Sequence, residues 1–336
     1  MIAITGGGTG GHLAIARALK EELNARDIKP IFVGSSGGQD KAWFENDEGF
    51  CKKIFLDSKG VVNKKGLSKL SAIIGVIKNI AVAIKTLKHE RIDTVVSVGG
   101  YSAAPLVLAA IITGKKLYIH EQNAVQGALN KISAPFAKAV FSSFTDASPS
   151  RDYPVSASCF ELARDREKIE SIIFLGGSQG AAKINSLALE LAPMLHEMDI
   201  AIIHQTGVKN FEEIQKEYQK LAIEADVFGF SDSLQEKVAK ADFAVARSGA
   251  GTLFELCAHR LPAFFIPYPH AAANHQEFNA KYLTDKNAAF YKNQNDVSAQ
   301  DILNIINDNE KIKRVSASLK NVIDKGGAKQ IVDFIV

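Results

Sequence analysis

At 336 residues, with 46% hydrophobic and 23% charged residues, the chain has the make-up of a soluble globular protein long enough for two domains. Its net charge of +3 is too small to signal a dominant nucleic-acid role, and no nucleic-acid partner is expected. Cys51, Cys159 and Cys257 are odd in number and show no Cys-x-x-Cys spacing, which argues against a disulfide framework or a zinc site and fits a reducing cytosol. A first strand starting at Met1 or Ile2 leaves no room for a signal peptide, and no apolar run reaches the roughly 20 residues needed to cross a bilayer. The expectation is a cytosolic protein able to touch a membrane.

Short β-branched runs alternate with helically spaced apolar residues, the pattern of parallel α/β sheets. The first half predicts strands at 2–5, 30–34, 53–56, 94–98, 116–120 and 139–141, with helices at 13–26, 39–46, 67–90, 103–112 and 128–137. Turn-forming residues from Asp146 to Ser156 interrupt the pattern and predict a linker. A strand at 171–175 then runs into Gly176-Gly177-Ser178-Gln179-Gly180 and a helix to about Leu195, repeating the way the chain opens. Strands follow at 201–205, 226–228, 243–246, 263–266 and 288–291, with helices at 210–221, 234–239, 252–259 and 277–284. The tail from Val297 is helical with a break at Gly326-Gly327. Two doubly wound halves are therefore expected. Ligands of such sheets sit at the carboxyl ends of the strands, so two sheets facing across a cleft can hold two substrates.

The opening Gly6-Gly7-Gly8-Thr9-Gly10-Gly11-His12 joins a strand to a helix, a junction that aims backbone N–H groups and a helix dipole at one point and suits a phosphate. Its glycines match G-x-G-x-x-G, but a dinucleotide site also needs an acid at the end of the second strand, and that strand ends Val33-Gly34-Ser35-Ser36. Asp40 comes later, inside the next helix, so a nicotinamide site is not expected.

Downstream, Arg247-Ser248-Gly249-Ala250-Gly251-Thr252-Leu253-Phe254-Glu255 leaves a strand and opens a helix, with Thr252 or Ser248 able to cap it. Glu255 sits one turn in, where it can bridge two ribose hydroxyls or act as a capping-box carboxylate; spacing leaves both readings open. The amides and imidazoles of Asn274-His275-Gln276 can read sugar hydroxyls, or Asn274 can simply cap a helix. Val98-Gly99-Gly100-Tyr101-Ser102 and His120-Glu121-Gln122-Asn123 end adjacent strands on the rim that carries His12. His120-Glu121 lacks the second His of a zinc helix, and there is no Asp-x-Asp to hold a divalent ion on a nucleotide diphosphate. No metal and no cofactor are expected, and a departing diphosphate must be stabilised by helix dipoles and N–H groups.

In this order and combination, Gly6–His12, Val98–Ser102, His120–Asn123, Gly176–Gly180, Arg247–Ala250 with Glu255, and Asn274–Gln276 closely resemble the bacterial MurG family over nearly the whole chain. That resemblance implies a metal-independent GT-B glycosyltransferase fold of two Rossmann-like domains: an acceptor and membrane-associating domain at 1–152, a UDP-GlcNAc domain at 153–320, and a last helix, 321–336, returning to the first. It implies inverting transfer of GlcNAc from UDP-GlcNAc to the C4 hydroxyl of undecaprenyl-pyrophosphoryl-MurNAc-pentapeptide, for cell-wall synthesis at the cytoplasmic face of the membrane. By position, Glu255 would bind the donor ribose, and Ala250, Gly251, Thr252, Leu253 and Phe254 the phosphates and ribose through backbone and caps. Ser178 would touch the diphosphate, Gln276 the GlcNAc hydroxyls, and Ser231 the uracil through its main chain. Thr9, Gly10, Gly11 and Asn123 would line the donor side of the cleft, with Gly8, Tyr101 and His120 toward the acceptor. His12 would be the general base or would orient the acceptor phosphate; both readings stand.

Two positions depart from the family pattern. Leu13 to Ala16 lack the proline that usually follows the His. The linker reads Tyr153-Pro154-Val155-Ser156 where an Arg commonly contacts the donor, so Arg164 or Arg166 reaches in or the donor is held without it. The stretch Asn63–Lys78 combines Leu70, Ile73, Ile74 and Ile77 on one helical face with Lys64, Lys65 and Lys69; it is either a core-facing helix with solvated lysines or a contact with anionic lipid. Two other functions fit the same residues: a sugar-nucleotide epimerase, which needs the donor alone, and a non-catalytic nucleotide-binding peripheral membrane protein.

Overall fold

The computed structural model describes residues 1–57, 67–177 and 179–336, with the side chains of 67–74 and 76 outside the description. The chain divides into two compact units, residues 1–155 with 326–336, and residues 156–325.

The first unit is built from β1 (Ile2–Thr5), α1 (Gly10–Asn24), β2 (Ile31–Ser35), α2 (Asp40–Phe44), β3 (Lys52–Leu56), α3 (Leu67–His89), β4 (Thr94–Ser97), α4 (Ala104–Ile112), β5 (Lys116–His120), α5 (Ala128–Ser133) and β6 (Ala139–Phe141). Its six strands pair in parallel in the order β3-β2-β1-β4-β5-β6. Strands such as Thr94–Ser97 are buried along their whole length, because helices cover both faces of a parallel sheet. One face packs Ala83 and Leu87 of α3 and Leu106, Val107 and Ala110 of α4 on Ala3, Val33, Val95 and Leu117. Elsewhere in the unit Phe32, Phe44 and Phe50 meet with ring centroids 4.7 to 5.4 Å apart.

The second unit contains α6 (Ala157–Glu161), β7 (Ser171–Leu175), α7 (Ala182–Glu197), β8 (Ala201–Gln205), α8 (Phe211–Lys220), β9 (Asp226–Phe228), α9 (Leu234–Lys240), β10 (Phe243–Ala246), α10 (Ala250–Ala258), β11 (Ala263–Phe265), α11 (His275–Thr284), β12 (Phe290–Tyr291), α12 (Ala299–Ile306) and α13 (Asn309–Leu319). Its parallel strands run β12-β11-β10-β7-β8-β9, the same winding as in the first unit. The order reverses between β1 and β4 in one unit and between β7 and β10 in the other, and such switch points open a crevice at the strands' carboxyl ends.

The chain returns to the first unit as α14 (Gly327–Ile335), which packs on α1. Arg26 pairs with Asp333 at 2.7 Å, Ser150 donates to Gln330 at 2.8 Å, and Phe334 sets its ring on Phe141. Gly327 presses on the backbone of Asp152, 2.2 Å from where a Cβ would stand, so only glycine starts this helix.

Several boundaries move from their predicted places for local reasons. Pro30 has no N–H to give a ladder, and β2 starts at Ile31. Pro135 ends the helix predicted to run to Ala137; α5 stops at Ser133 and continues only as a 3-10 turn. Gly10, Gly11 and His12 belong to the first turn of α1 rather than to the loop before it. Likewise α10 starts at Ala250 and α11 at His275, two residues earlier than their apolar spacing suggests. Most of the basic stretch at 63–76, including Lys64, Lys65 and Lys69, lies outside the described residues or side chains.

Candidate active site

In the first unit the Gly6–His12 loop crosses the β1/β4 switch point against the turn after β4. Gly7 donates its N–H to Gly99 O at 3.1 Å. A Cβ on Gly100 would stand 2.1 Å from Gly7 O and one on Gly6 2.4 Å from Gly99 O, so two glycine pairs are what let these backbones touch. Asp40, fully buried at the start of α2, accepts from Gly8 N at 2.5 Å and from Ser35 N at 2.8 Å. The expectation that the loop's N–H groups await an anion is therefore corrected for Gly7 and Gly8, which the protein itself satisfies. The N–H groups of Gly10 and Gly11 stand in the first turn of α1, which a helix leaves without intrahelical partners.

Tyr101 lies on the loop, its ring 2.5 Å from a Cβ built on Gly8 and its hydroxyl 2.8 Å from one built on Gly38. His12 is half-buried, its Nδ1 2.7 Å from Thr9 Oγ1 and its Nε2 edge over Gly99. Thr9, Gly8, Tyr101 and His12 thus come together as expected from their motifs.

The His120–Asn123 run does not form a row of exposed polar groups. His120 is 1% exposed, stacks edge-on against Tyr153 at 5.6 Å, and has no partner on Nδ1. Burial and the neighbouring His12 hold its pKa down to about 3, so it stays neutral. Glu121 is also buried and accepts from Asn123 N at 3.0 Å, Gly127 N at 2.8 Å and Asn130 Nδ2 at 2.8 Å. Gln122 donates to Val98 O at 2.8 Å. These three side chains hold the rim from beneath, and Asn123 alone of the four is partly exposed.

In the second unit a pocket opens at the β7/β10 switch point, lined by Gly176, Gly177, Gln205, Leu234, Arg247, Thr252 and Glu255 among others. Gly176 and Gly177 donate to Gln205 O at 3.0 Å and Gln205 Oε1 at 3.2 Å, closing this glycine turn as its counterpart is closed. Ser178 lies outside the described residues. A larger hollow of about 390 Å³ near Lys168, Met198 and Ile306 sits at the amino ends of β7 and β8, away from the switch point.

Helix α10 starts from Gly249, and neither expected cap acts as one: Ser248 Oγ donates to Gln276 O at 2.8 Å, and Thr252 faces the pocket. Glu255 makes no capping box. It is desolvated on the pocket wall, which pushes its pKa up to about 7. The side chains of Leu253 and Phe254 are fully buried, and Leu253 N already donates to Gly249 O at 2.9 Å, so the expected backbone contact with a ligand is not open at Leu253 N–H. Asn274 stands at the N-cap of α11 in the left-handed region, φ 55°, and its side chain bonds Glu277 instead of capping the helix. Gln276 Oε1 accepts from Tyr268 N at 2.9 Å. Ser231 Oγ accepts from Ser233 N at 3.2 Å, so its main chain is the part left for a base, beside the exposed ring of Phe230.

Neither linker arginine reaches the pocket. Arg164 spends itself on the carbonyls of Ala239, Lys240 and Ala241 and on Asp242 at 2.6 Å. Arg166 is buried, bonding the carbonyls of Arg164, Ala239, Ala241 and His259, where two helices end with negative dipoles. Among the described residues, the guanidinium that lines the pocket is Arg247. It is braced by Ile266 O at 2.9 Å, Pro267 O at 3.1 Å and Gln294 Oε1 at 2.6 Å, and lies 5.5 Å from the Tyr268 ring. Its place at the end of a strand, just before a glycine turn, is the signal that marks it in the sequence. No group of His, Cys, Asp or Glu that could hold a metal exists among the described residues.

Two sheets with this winding, each with a glycine turn at its switch point, and a pocket lined by a carboxylate and a guanidinium describe a GT-B glycosyltransferase. Residues 2–142 match the glycosyltransferase family 28 N-terminal domain, and residues 171–332 the family 28 C-terminal domain. Over its full length the chain is 45% identical to a Wolinella succinogenes protein, covering 99% of it, and over 98% of its length 49% identical to one from Campylobacter jejuni, covering 96%. Both are named UDP-N-acetylglucosamine--N-acetylmuramyl-(pentapeptide) pyrophosphoryl-undecaprenol N-acetylglucosamine transferase. The solved Acinetobacter baumannii MurG is similar with a TM-score of 0.81 at 25% identity, over 99% of this chain and 98% of that one. A UDP-N-acetylglucosamine 2-epimerase shares the fold alone, with a TM-score of 0.64 at 11% identity, over 99% of this chain and 94% of that one. The chain belongs to the MurG family of family 28 glycosyltransferases.

Proposed function

We propose that this protein transfers N-acetylglucosamine from UDP-N-acetylglucosamine to the C4 hydroxyl of undecaprenyl-pyrophosphoryl-MurNAc-pentapeptide, with inversion at C1. The observation that carries it is the meeting of Glu255, Arg247 and Thr252 in one pocket at the β7/β10 switch point. Glu255 accepts from the donor ribose, and Arg247 faces the diphosphate together with the N-terminus of α10 at Ala250 and Gly251. The backbone at Ser231 reads the uracil, and Gln276, whose amide nitrogen remains after its oxygen bonds Tyr268, reads the sugar.

In the first unit, Thr9, Gly10, Gly11 and Asn123 belong to the donor side, and Gly8 and Tyr101 to the acceptor, with His120 acting from below. If Nδ1–H of His12 donates to Thr9, Nε2 keeps its lone pair and can take the proton of the attacking hydroxyl. The C4 oxygen then bonds to C1, the bond from C1 to the UDP oxygen breaks, and UDP leaves with its charge met by Arg247 and the helix dipole. Domain 1–152 is assigned the acceptor, 153–320 the donor.

The site of action is the cytoplasmic face of the bacterial membrane. No helix among the described residues is long and apolar enough to cross a bilayer. Peripheral contact is supported by Ile77 and Val82 on α3, Ile112 at the end of α4, and Ile132 and Phe136 on and after α5, all exposed on successive packed helices beside Lys78, Lys85, Lys116 and Lys131. Each such lysine adds about 1 kcal/mol of attraction near an anionic surface.

Incubation with UDP-N-acetylglucosamine and lipid-linked acceptor is expected to release UDP in step with formation of the disaccharide. Conversion of the donor to an epimer without acceptor would establish the epimerase instead, and no turnover at all would leave a binding protein.

A further inference from the structure

The glycine turn of the second unit rests on the end of β8, and one residue there touches both the turn and the pocket. Gln205 closes the strand and is 5% exposed. Its carbonyl accepts from Gly176 N at 3.0 Å, and its side-chain Oε1 from Gly177 N at 3.2 Å. An amide has one oxygen and one N–H₂, so the bond to Gly177 settles which way this one is turned. Nε2 meets no hydrogen-bond partner among the described residues, and Gln205 lines the pocket with Arg247 and Thr252. The chain on either side of Gln205 is held by a single side chain. Asn185, in the first turn of α7, donates from Nδ2 to Thr206 O at 3.2 Å, and its Oδ1 accepts from His204 Nε2 at 3.1 Å. His204 is thus the Nε2–H tautomer, and its Nδ1 accepts from Tyr218 OH at 3.0 Å. Asn185, His204 and Tyr218 are all buried, so the direction of Gln205 is fixed before any ligand arrives.

We propose that Gln205 is a further binding residue for the nucleotide sugar, its amide N–H₂ bonding a phosphate oxygen of the diphosphate alongside Arg247. The proposal rests on the reading of this pocket as the UDP site. A guanidinium and an amide N–H₂ in one pocket both give hydrogens, and the ligand that matches them is an anion with several acceptor oxygens. Out of bulk water such a bond is electrostatically stronger, because fewer solvent dipoles compete for the phosphate. The same amide therefore closes the glycine turn with its oxygen and faces the ligand with its nitrogen.

Calorimetric titration of the full-length protein with UDP and with uridine tests this in two variants. Gln205→Glu keeps an oxygen for Gly177 N and puts a second carboxylate oxygen where the N–H₂ stands. Gln205→Met keeps the volume and removes both bonds. Gln205→Glu is expected to weaken UDP binding about 30-fold and Gln205→Met about tenfold, with uridine within about threefold of the parent in each. If Gln205 only props the glycine turn, Gln205→Glu retains the prop and binds UDP within about threefold of the parent, a result that would overturn the proposal. Equal losses for UDP and uridine would overturn it too, since a phosphate contact cannot weaken a ligand that has no phosphate. A parent protein that binds UDP no tighter than uridine would overturn the diphosphate reading of the pocket itself, and the proposal with it. Should Gln205→Glu not fold, Gln205→Lys makes the reverse comparison, offering N–H groups to phosphate and nothing to Gly177. It is expected to bind UDP more tightly than Gln205→Met does, and binding no tighter would count against the phosphate contact.

Discussion

Asp40 accepts the backbone N–H of Gly8 at 2.5 Å, so the glycine turn that opens the chain is closed by a carboxylate 32 residues further on. The second oxygen of the same carboxylate takes Ser35 N at 2.8 Å, tying the ends of β1 and β2 together. An acid beyond the second strand thus serves the loop's own backbone, where a dinucleotide fold would have it face a ribose.

Replacing Asp40 by Asn leaves one acceptor for two N–H groups, the buried one of Ser35 and the half-buried one of Gly8, and turns an amide N–H₂ toward one of them. The expected cost is about 1–3 kcal/mol, read as a lower urea midpoint with an unchanged slope. Because the loop leads directly to His12, kcat should fall while the donor KM stays within twofold.

Glu255 has its pKa raised to about 7 by burial. Arg247 and Thr252 share its pocket. Below pH 7 the carboxyl is increasingly protonated and accepts less well from ribose hydroxyls. Donor kcat/KM should therefore rise between pH 6 and 8 with an apparent pKa near 7, and Glu255→Gln should abolish that step. A step that persists in Glu255→Gln would assign the titration to another group.

Arg247→Met should weaken UDP binding by about 10- to 100-fold, the worth of a hydrogen-bonded charge on a diphosphate. Binding of uridine, which has no phosphates, should change by less than threefold. Calorimetry with both ligands separates loss of a phosphate contact from collapse of the pocket, which would weaken both alike.

His120, His204 and His259 are buried with pKa values pulled down by desolvation to about 3, 3 and 4. His204 is held between Tyr218 OH at 3.0 Å and Asn185 Oδ1 at 3.1 Å. A folded-state pKa below the unfolded one means that the unfolded chain binds protons first. The stability these neutral rings support is whole above about pH 6.5 and is lost as pH falls toward 4 and 3, by up to about 1.4 kcal/mol per pH unit for each ring. Unfolding midpoints should drop steadily below pH 6, and His204→Gln should flatten the slope of the second unit even where it lowers stability at pH 7.

The twice-repeated strand, glycine turn and helix were legible in the chain, and the strands at 2–5, 116–120, 171–175 and 243–246 lie where alternation and β-branched content placed them. Boundaries slipped where a proline withheld a donor, as at Pro30 and Pro135, or where glycine hid a helix start, as at Gly10. Arg247 lies in a motif whose small residues carry the stronger local signal. Gln235 carries no local signal at all, since a glutamine in the first turn of a surface helix looks like any other.

By itself the sequence determined two doubly wound sheets, the residues that end their strands, and the family to which those residues belong, because period, turn chemistry and motif spacing are local properties. Only the tertiary structure decided how the polar groups pair: Gly8 with Asp40, Glu121 with Asn130, Arg166 with the end of α10, and Gln235 with His259 and Cys159. Most of these partners lie far apart in the chain and meet through strand order and helix packing. Which donor a buried acceptor receives is therefore settled by three-dimensional proximity in a desolvated interior, where every such group must find a partner.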